Sequence, residues 1–138
     1  MRLFNGFDFY KVVGNSMNPF LKEGNVLFCL KNIDNLKRGN VVVFRMESCN
    51  KYYVKRIVGL PGETVEIVDG TLLINNRLDE INKFFKFPLK TKNELENWVL
   101  GSDQYFVIGD NFLNSTDSRN YGLVNELDIT CKMILKIC

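Results

Sequence analysis

The sequence predicts a mainly β fold. Short runs of β-branched and aromatic residues recur at close intervals, and turn signals rich in Gly, Asn and Asp separate them. With 138 residues and 46% hydrophobic content, the chain fits one domain over residues 1–138. The clearest predicted strands cover residues 26–30, 41–45, 53–58, 64–68, 71–74, 105–108 and 132–137.

The turns indicate that these strands are antiparallel. Asp69-Gly70 separates two alternating apolar runs and is a strong hairpin signal. Residues 77–101 have the least regular pattern, since they mix the pair Phe84-Phe85, charges and a lone Trp98. We expect this segment to be a small irregular elaboration on the core, with a short helix near residues 93–100.

Composition excludes several classes of site. The chain has no histidine, so it cannot build a Ser-His-Asp triad, a Cys-His dyad or a histidine-ligated metal site. Its four cysteines show no C-x-x-C spacing, which argues against zinc and does not indicate a disulfide framework. A net charge of +2 gives no electrostatic footprint for nucleic acid. We therefore expect no metal, no cofactor and no nucleic-acid partner.

Lys55 is the most unusual residue of the predicted strands, because its own face is apolar. Side chains alternate along a strand, so Tyr53, Lys55 and Ile57 share one face. An edge-strand lysine that keeps its ammonium in water is the ordinary explanation. If Lys55 is instead buried, its pKa can fall from about 10.4 toward neutrality, and the amine becomes a general base.

Ser16 has the features of a nucleophile. It follows an apolar run and Gly14 and precedes Pro19, so it lies at a bend that presents its hydroxyl and its N–H on the same side. A serine in an ordinary turn is the simpler alternative. Without histidine, a neutral lysine is the known partner for such a serine. Ser115 or Ser118, in the polar loop after the strand at 105–108, could hold the amine in place.

Four segments of the chain closely resemble, in order, the successive conserved boxes of type I signal peptidases. They are residues 14–19, 37–44, 53–63 and 109–122. The resemblance covers nearly the whole chain except residues 1–11 and 77–101. It implies a signal-peptidase-like catalytic core of short antiparallel strands, and a serine endopeptidase that removes N-terminal signal peptides from exported proteins.

The resemblance also implies roles for individual residues. Ser16 is the nucleophile, Lys55 is the general base and Ser115 orients the lysine. Two supporting ion pairs are expected, Arg56 with Asp110 and Asp117 with Arg119. The substrate binds as an added strand, with small residues at alternate positions near the cleavage site. The residues expected to line the pocket, each equally plausible as core, are Val12, Met17, Leu21, Tyr53 and Val54.

Three positions depart from the family pattern. Gly14 stands where many members have a serine whose hydroxyl completes the oxyanion hole, and the loss of such a donor costs about 3 kcal/mol of transition-state stabilisation. Phe20 replaces a common threonine, and Phe112 replaces a common arginine. We expect the changes at Phe20 and Phe112 to reshape the site without abolishing it, and the change at Gly14 to leave oxyanion stabilisation to the N–H of Ser16.

The expected location is a membrane surface, with the active site on the exported side. No stretch approaches the roughly 18 apolar residues that span a bilayer, so no transmembrane anchor is expected within this chain. The chain could be a catalytic fragment, a peripheral enzyme that adsorbs through Phe4, Phe7 and Phe9, or a specialised relative such as a conjugation pilin-maturation peptidase. Packing of these aromatics on the fold is the alternative, and the oligomeric state is left open.

Two other functions are consistent with the sequence. A self-cleaving repressor-type peptidase also uses a serine-lysine dyad, but the chain shows no helix-turn-helix and no basic DNA-binding face. A catalytically impaired scaffold or binding module is the other alternative, which Gly14 suggests. The first predicts intramolecular cleavage, and the second predicts no cleavage.

Overall fold

A computed structural model describes residues 6–85 and 88–137 of the chain. Within these ranges the strands are β1 (Phe7–Lys11), β2 (Val26–Leu30), β3 (Val41–Met46), β4 (Lys51–Gly59), β5 (Thr64–Val68), β6 (Thr71–Ile74), β7 (Arg77–Leu78), β8 (Leu95–Val99), β9 (Gln104–Ile108), β10 (Val124–Asn125) and β11 (Ile129–Ile137). The helices are α1 (Ser118–Tyr121) and two 3₁₀ helices, Glu80–Phe84 and Glu126–Asp128. The mainly β prediction is confirmed.

Seven strands form the larger sheet, in the order β1-β2-β11-β3-β4-β9-β10, and every neighbouring pair is antiparallel. The sheet is strongly curled. Three strands separate β1 from β4, yet the rings of Tyr10 on β1 and Tyr52 on β4 lie 5.7 Å apart. The curl therefore brings the outer edge of β1 close to β4.

β4 is paired unequally on its two sides. β3 pairs with it from Lys51 to Arg56, whereas β9 pairs with it only from Arg56 to Gly59. In the described part of the chain, the β9-side edge of residues 51–55 therefore has no strand neighbour. This edge and the outer edge of β1 form the two sides of a cleft.

The smaller sheet has the order β7-β6-β5-β8. The predicted hairpin turn between β5 and β6 is present, and Asp69 and Gly70 adopt the positive φ angles, 47° and 82°, that such a turn requires. Apolar side chains from β5 pack against Phe106 and Ile108 of β9, in one cluster that joins the two sheets.

Residues 77–101 supply β7, the first 3₁₀ helix and β8. The short helix expected near 93–100 is wrong, because Leu95–Val99 is a strand that pairs with β5 along its whole length. Trp98 explains the difference, since its ring packs on Phe106 with centroids 4.5 Å apart. This tertiary contact overrides a weak local preference.

The described residues contain no helix that is both long and apolar enough to cross a membrane. Of the aromatic residues expected to adsorb or to pack, Phe7 and Phe9 belong to β1 and pair with β2. Phe4 lies outside the described residues.

Candidate active site

Ser16 lies in a compact turn held by backbone hydrogen bonds. Asn18 N donates to Asn15 O at 3.1 Å, and Leu21 N donates to Met17 O at 2.9 Å. From the loop after β9, Asn111 N donates to Ser16 O at 2.9 Å and Asn111 Nδ2 donates to Asn15 O at 3.0 Å. These contacts fix the position of Ser16 relative to the end of β9.

Lys55 lies in the middle of β4 and points at this turn. Its Nζ lies 2.8 Å from Ser16 Oγ, and only 3% of the residue's surface is exposed. The ammonium also lies 5.7 Å from the centroid of the Tyr53 ring. The structure thus brings together the serine and the lysine that the sequence singles out.

The surroundings of Lys55 favour its neutral form. Burial is the larger influence, and it lowers the pKa of Lys55 from 10.5 to about 8. The Asp117 carboxylate acts in the opposite direction and raises the pKa of Lys55. A usable fraction of the amine is therefore unprotonated near neutral pH, as a general base requires.

Asp117 organises the polar loop behind the lysine. It is fully buried, and Ser115 Oγ donates to its Oδ2 at 2.8 Å. Arg119 pairs with it through Nε and Nη2, both at 2.9 Å, and Gly109 N donates to it at 3.1 Å. Its side chain also caps α1. The role of Ser115 in orienting Lys55 stays a prediction, since the hydroxyl contact found here goes to Asp117.

Ser118, the other loop serine that was expected to hold the amine of Lys55, has a different contact. Its Oγ accepts a hydrogen bond from Val107 N at 2.9 Å, and the residue is fully buried. It therefore ties α1 to β9 rather than to the amine of Lys55.

Arg56 and Asp110 form the other expected ion pair. Arg56 Nε and Nη2 donate to the two Asp110 oxygens at 2.8 and 2.7 Å, and both residues are buried. Phe20 and Phe84 enclose the guanidinium, with their ring centroids 4.8 and 4.3 Å from Arg56 Cζ. Arg56 follows Lys55 on β4, and Asp110 comes after the end of β9. The ion pair therefore holds the strand of Lys55 against the end of β9.

Phe20 and Phe112, which depart from the family pattern, each contact an arginine of one of the two ion pairs. Phe20 lies on the Arg56 guanidinium. The Phe112 ring packs edge-on against Phe85 at 5.6 Å, and its carbonyl accepts from Arg119 Nη2 at 2.8 Å. Gly14 adopts a φ of 83°, in the left-handed region that glycine tolerates best.

A cleft of about 550 Å³ opens at Ser16 and Lys55. Three of the predicted pocket residues, Val12, Tyr53 and Val54, line it. The other two, Met17 and Leu21, are fully buried in the apolar cluster around Leu27 and Val41. Their part in substrate binding stays a prediction, and packing is the role that the structure shows for them.

Sequence reasoning missed several residues that line the cleft. They include Tyr10, Lys11, Tyr52, Asn114 and Thr116. The signal available for Tyr52 was its place three residues before Lys55 on a predicted strand. No local signal marked Tyr10, because its position depends on the curl of the sheet.

The sequence of this chain is similar to those of known signal peptidases. The family model described as signal peptidase, peptidase S26, matches residues 2–138. Signal peptidase I T of Bacillus subtilis (strain 168) is 41% identical over 137 residues, which cover 87% of this chain and 68% of that protein. Signal peptidase IB of Staphylococcus aureus (strain N315) is 34% identical over 143 residues, which cover 90% of this chain and 74% of that protein.

A solved structure of a signal peptidase I also resembles this chain. The crystal structure of a signal peptidase I from Enterococcus faecalis V583 superposes with a TM-score of 0.58 at 29% sequence identity. The match covers 73% of this chain and 98% of that one. The chain therefore belongs to the signal peptidase I family, peptidase S26.

Proposed function

We propose that this protein is a serine endopeptidase that removes N-terminal signal peptides from exported proteins, with Ser16 as the nucleophile and neutral Lys55 as the general base. The observation that carries the proposal is the 2.8 Å approach of a buried lysine amine to a serine hydroxyl. Membership of the signal peptidase I family supports the reaction and the substrate class.

The proposed chemistry proceeds in two halves. Ser16 Oγ attacks the scissile carbonyl carbon while Lys55 Nζ takes the hydroxyl proton. Lys55 then gives that proton to the leaving amine, and an acyl-enzyme on Ser16 remains. In the second half Lys55 takes a proton from water as the water oxygen attacks the ester carbonyl carbon. The bond from that carbon to Ser16 Oγ then breaks, and Lys55 returns the proton to Oγ, which frees the peptide acid and restores the dyad.

The oxyanion site is the part of this scheme that differs from many relatives. Gly14 offers no hydroxyl, so the N–H of Ser16 is the donor on which the oxyanion depends. Gly14→Ser tests whether a hydroxyl there improves catalysis. A Cβ at this position meets no atom within 4 Å, although the positive φ adds some strain.

The glycine at position 14 is also the observation that favours the second candidate function, a catalytically impaired scaffold.

The cleft suits a substrate that binds as an added strand. Val12 N donates to Asn25 O, and Val12 O accepts from Gly24 N, so both backbone groups of Val12 point toward β2. Backbone groups alternate along an extended chain, so those of Lys11 and Val13 point toward the cleft. The edge of β4 over residues 51–55 lies on the other side. Val12, Tyr53 and Val54 line the cleft beside Ser16, and we propose that they hold the small side chains near the scissile bond.

An exposed apolar face supports binding to a membrane surface. Phe7 and Phe9 of β1 are 50% and 59% exposed, and both rings lie against Phe28, with centroids 4.7 and 5.2 Å away. On β11, Leu135 pairs with Phe28 and is also exposed. Such a face fits a membrane interface. Because the substrates are exported proteins, we place the active site on the exported side.

Cleavage of a preprotein with an Ala-x-Ala site tests the function. The wild type in detergent or lipid should cut after the second Ala, and both Ser16→Ala and Lys55→Met should abolish the product. Ser102→Ala and Lys37→Met are matched controls, since both residues are exposed and outside the cleft. Folded wild type that releases no product would favour the scaffold, and cleavage of its own chain alone would favour the repressor-type peptidase.

Vesicle binding tests the membrane face. We expect the wild type to co-sediment with anionic lipid vesicles and Phe9→Ser to lose much of this binding, because Phe9 is the most exposed ring of the face. Equal co-sedimentation of the two proteins would count against the face. Cleavage of a soluble peptide should be the same for both.

A further inference from the structure

The loop after β9 holds the peptide unit that carries the oxyanion donor of the proposed mechanism. That unit joins Asn15 to Ser16, and the N–H of Ser16 belongs to it. Its oxygen, Asn15 O, accepts from Asn111 Nδ2 at 3.0 Å and from Asn18 N at 3.1 Å. The next carbonyl, Ser16 O, accepts from Asn111 N at 2.9 Å. Asn111 therefore bonds to the carbonyls on both sides of the nucleophile.

These bonds determine where the N–H of Ser16 points. A peptide unit is planar and trans, so its C=O and its N–H point in opposite directions. Asn15 and Ser16 line the cleft, whereas Asn111 lines a separate cavity behind the turn. The N–H of Ser16 consequently points away from Asn111, and it donates to no group among the residues that the structure describes. It is left available for a ligand in the cleft.

The position of Asn111 is itself fixed by its neighbours at the end of β9. Asp110, just before it, pairs with the buried guanidinium of Arg56. A Cβ at Gly109 would lie 2.6 Å from Ser16 O, so only glycine lets the loop approach the serine this closely. The amide of Asn111 is thus presented to the turn by a backbone that the rest of the site holds in place.

The direction of this N–H matters because the oxyanion has few donors in this chain. Gly14 supplies no hydroxyl, so no second donor comes from that position. A hydrogen bond weakens steeply once its angle at the hydrogen falls below about 120°. A donor that is aimed before the reaction also needs no reorganisation in the transition state. A peptide unit that is free to tilt would lose much of this stabilisation.

We propose that Asn111 is a positioning residue for catalysis, which holds the Asn15–Ser16 peptide unit so that the N–H of Ser16 is aimed at the oxyanion. The proposal rests on the proposed function and adds a residue to its machinery. Asn111 acts through Asn15 O and not through the substrate. The bonds to this oxygen also polarise the peptide unit, which makes the N–H of Ser16 a stronger donor.

Asn111→Leu removes the side-chain donor and keeps a side chain of similar size. The backbone N–H at this position still reaches Ser16 O, and Asn15 O keeps its bond from Asn18 N, so the turn should fold. For a preprotein substrate we expect kcat to fall about 30-fold and KM to change little, because only the transition state carries the oxyanion. Asn97→Leu is the matched control, since Asn97 is exposed on β8 of the smaller sheet.

The pH–rate profile separates aiming of the N–H from disturbance of the dyad. In Asn111→Leu the plateau should fall while the midpoint stays near pH 8, because the surroundings of Lys55 are unchanged. A plateau equal to that of the wild type would overturn the proposal. So would a fall that is accompanied by a shifted midpoint, because Asn111 would then act on the lysine.

A measurement without turnover separates this proposal from the proposed function. Nuclear magnetic resonance relaxation gives the order parameter of the Ser16 N–H, which should be about 0.85 in the wild type and below about 0.7 in Asn111→Leu. The amide of Val54 should be equally rigid in both. Equal order parameters for Ser16 would overturn the proposal even if the enzyme cleaves preproteins. A fall at Ser16 in a protein whose wild type cleaves nothing would support the hold of Asn111 on the peptide unit and count against the proposed function.

Discussion

Replacing Lys55 by Met should stabilise the protein at neutral pH while abolishing its activity. The folded state holds the lysine at 3% exposure, and burial lowers its pKa from 10.5 to about 8. Between these two pH values the unfolded chain binds more protons than the folded chain, so wild-type stability rises with pH there. Below pH 8 both states are protonated and the full cost of burying the charge is present.

The size of the effect follows from the same two values. A shift from 10.5 to about 8 corresponds to about 3 kcal/mol of unfolding free energy below pH 8. Met has a similar length and carries no charge, so Lys55→Met removes this cost. The variant loses the contact with Ser16 Oγ, worth about 1 kcal/mol. We expect a net gain of about 2 kcal/mol at pH 7, which falls by about 1 kcal/mol at pH 9 as the wild-type lysine loses its proton.

Urea unfolding of the wild type and Lys55→Met between pH 6 and pH 9 measures this difference. Lys51→Met is the matched control, because Lys51 lies on the same strand and is exposed. It should change the unfolding free energy little, and by the same amount at every pH. A Lys55→Met protein that is less stable than the wild type, or whose advantage does not change with pH, would show that the lysine carries no burial cost.

Three further predictions concern the residues around the dyad. The wild-type kcat/KM should rise with pH and level off above about 8, because only neutral Lys55 accepts the serine proton; a profile that is flat from pH 6 to pH 9 would contradict this. Asp117→Asn should move that rise to lower pH, since the carboxylate raises the pKa of Lys55; an upward shift in the pH–rate profile would show that another group dominates. Asp110→Ala should destabilise the fold by about 3–5 kcal/mol, because it leaves the buried Arg56 guanidinium unpaired. The double variant Asp110→Ala/Arg56→Met should recover part of that loss in chemical denaturation, and no recovery would mean that the guanidinium is not the cause.

The sequence was sufficient to predict β2 to β6, β9 and β11, because these strands carry their own signals, whereas β1, β7, β8 and β10 were not predicted. β4 and β5 are runs of β-forming residues, and Asp69-Gly70 supplies the turn that joins β5 to β6. β8 was missed for a physical reason. Its stability comes from pairing with β5 and from Trp98 against Phe106, and a window of neighbouring residues contains neither contact.

The dyad was predictable for a similar local reason, and the rest of the cleft was not. A lysine among apolar neighbours and a serine at a bend before proline are visible in the sequence, and the matching family boxes connect them over 39 positions. Met17 and Leu21 look the same in sequence whether they line a pocket or pack beneath it. The contact between Tyr10 and Tyr52 depends on the curl of seven strands, so only the folded chain reveals it.

The most direct test of the mechanism is to identify the residue that becomes acylated. A peptide ester with Ala-x-Ala at its acyl end is mixed with the enzyme, the reaction is stopped with acid within its first turnover, and the tryptic peptides are weighed. We expect the acyl group on the peptide of residues 12–22, at Ser16, in the wild type. We expect no adduct in Ser16→Ala and very little in Lys55→Met. An acyl group on another residue, or product formation by Ser16→Ala, would contradict the account.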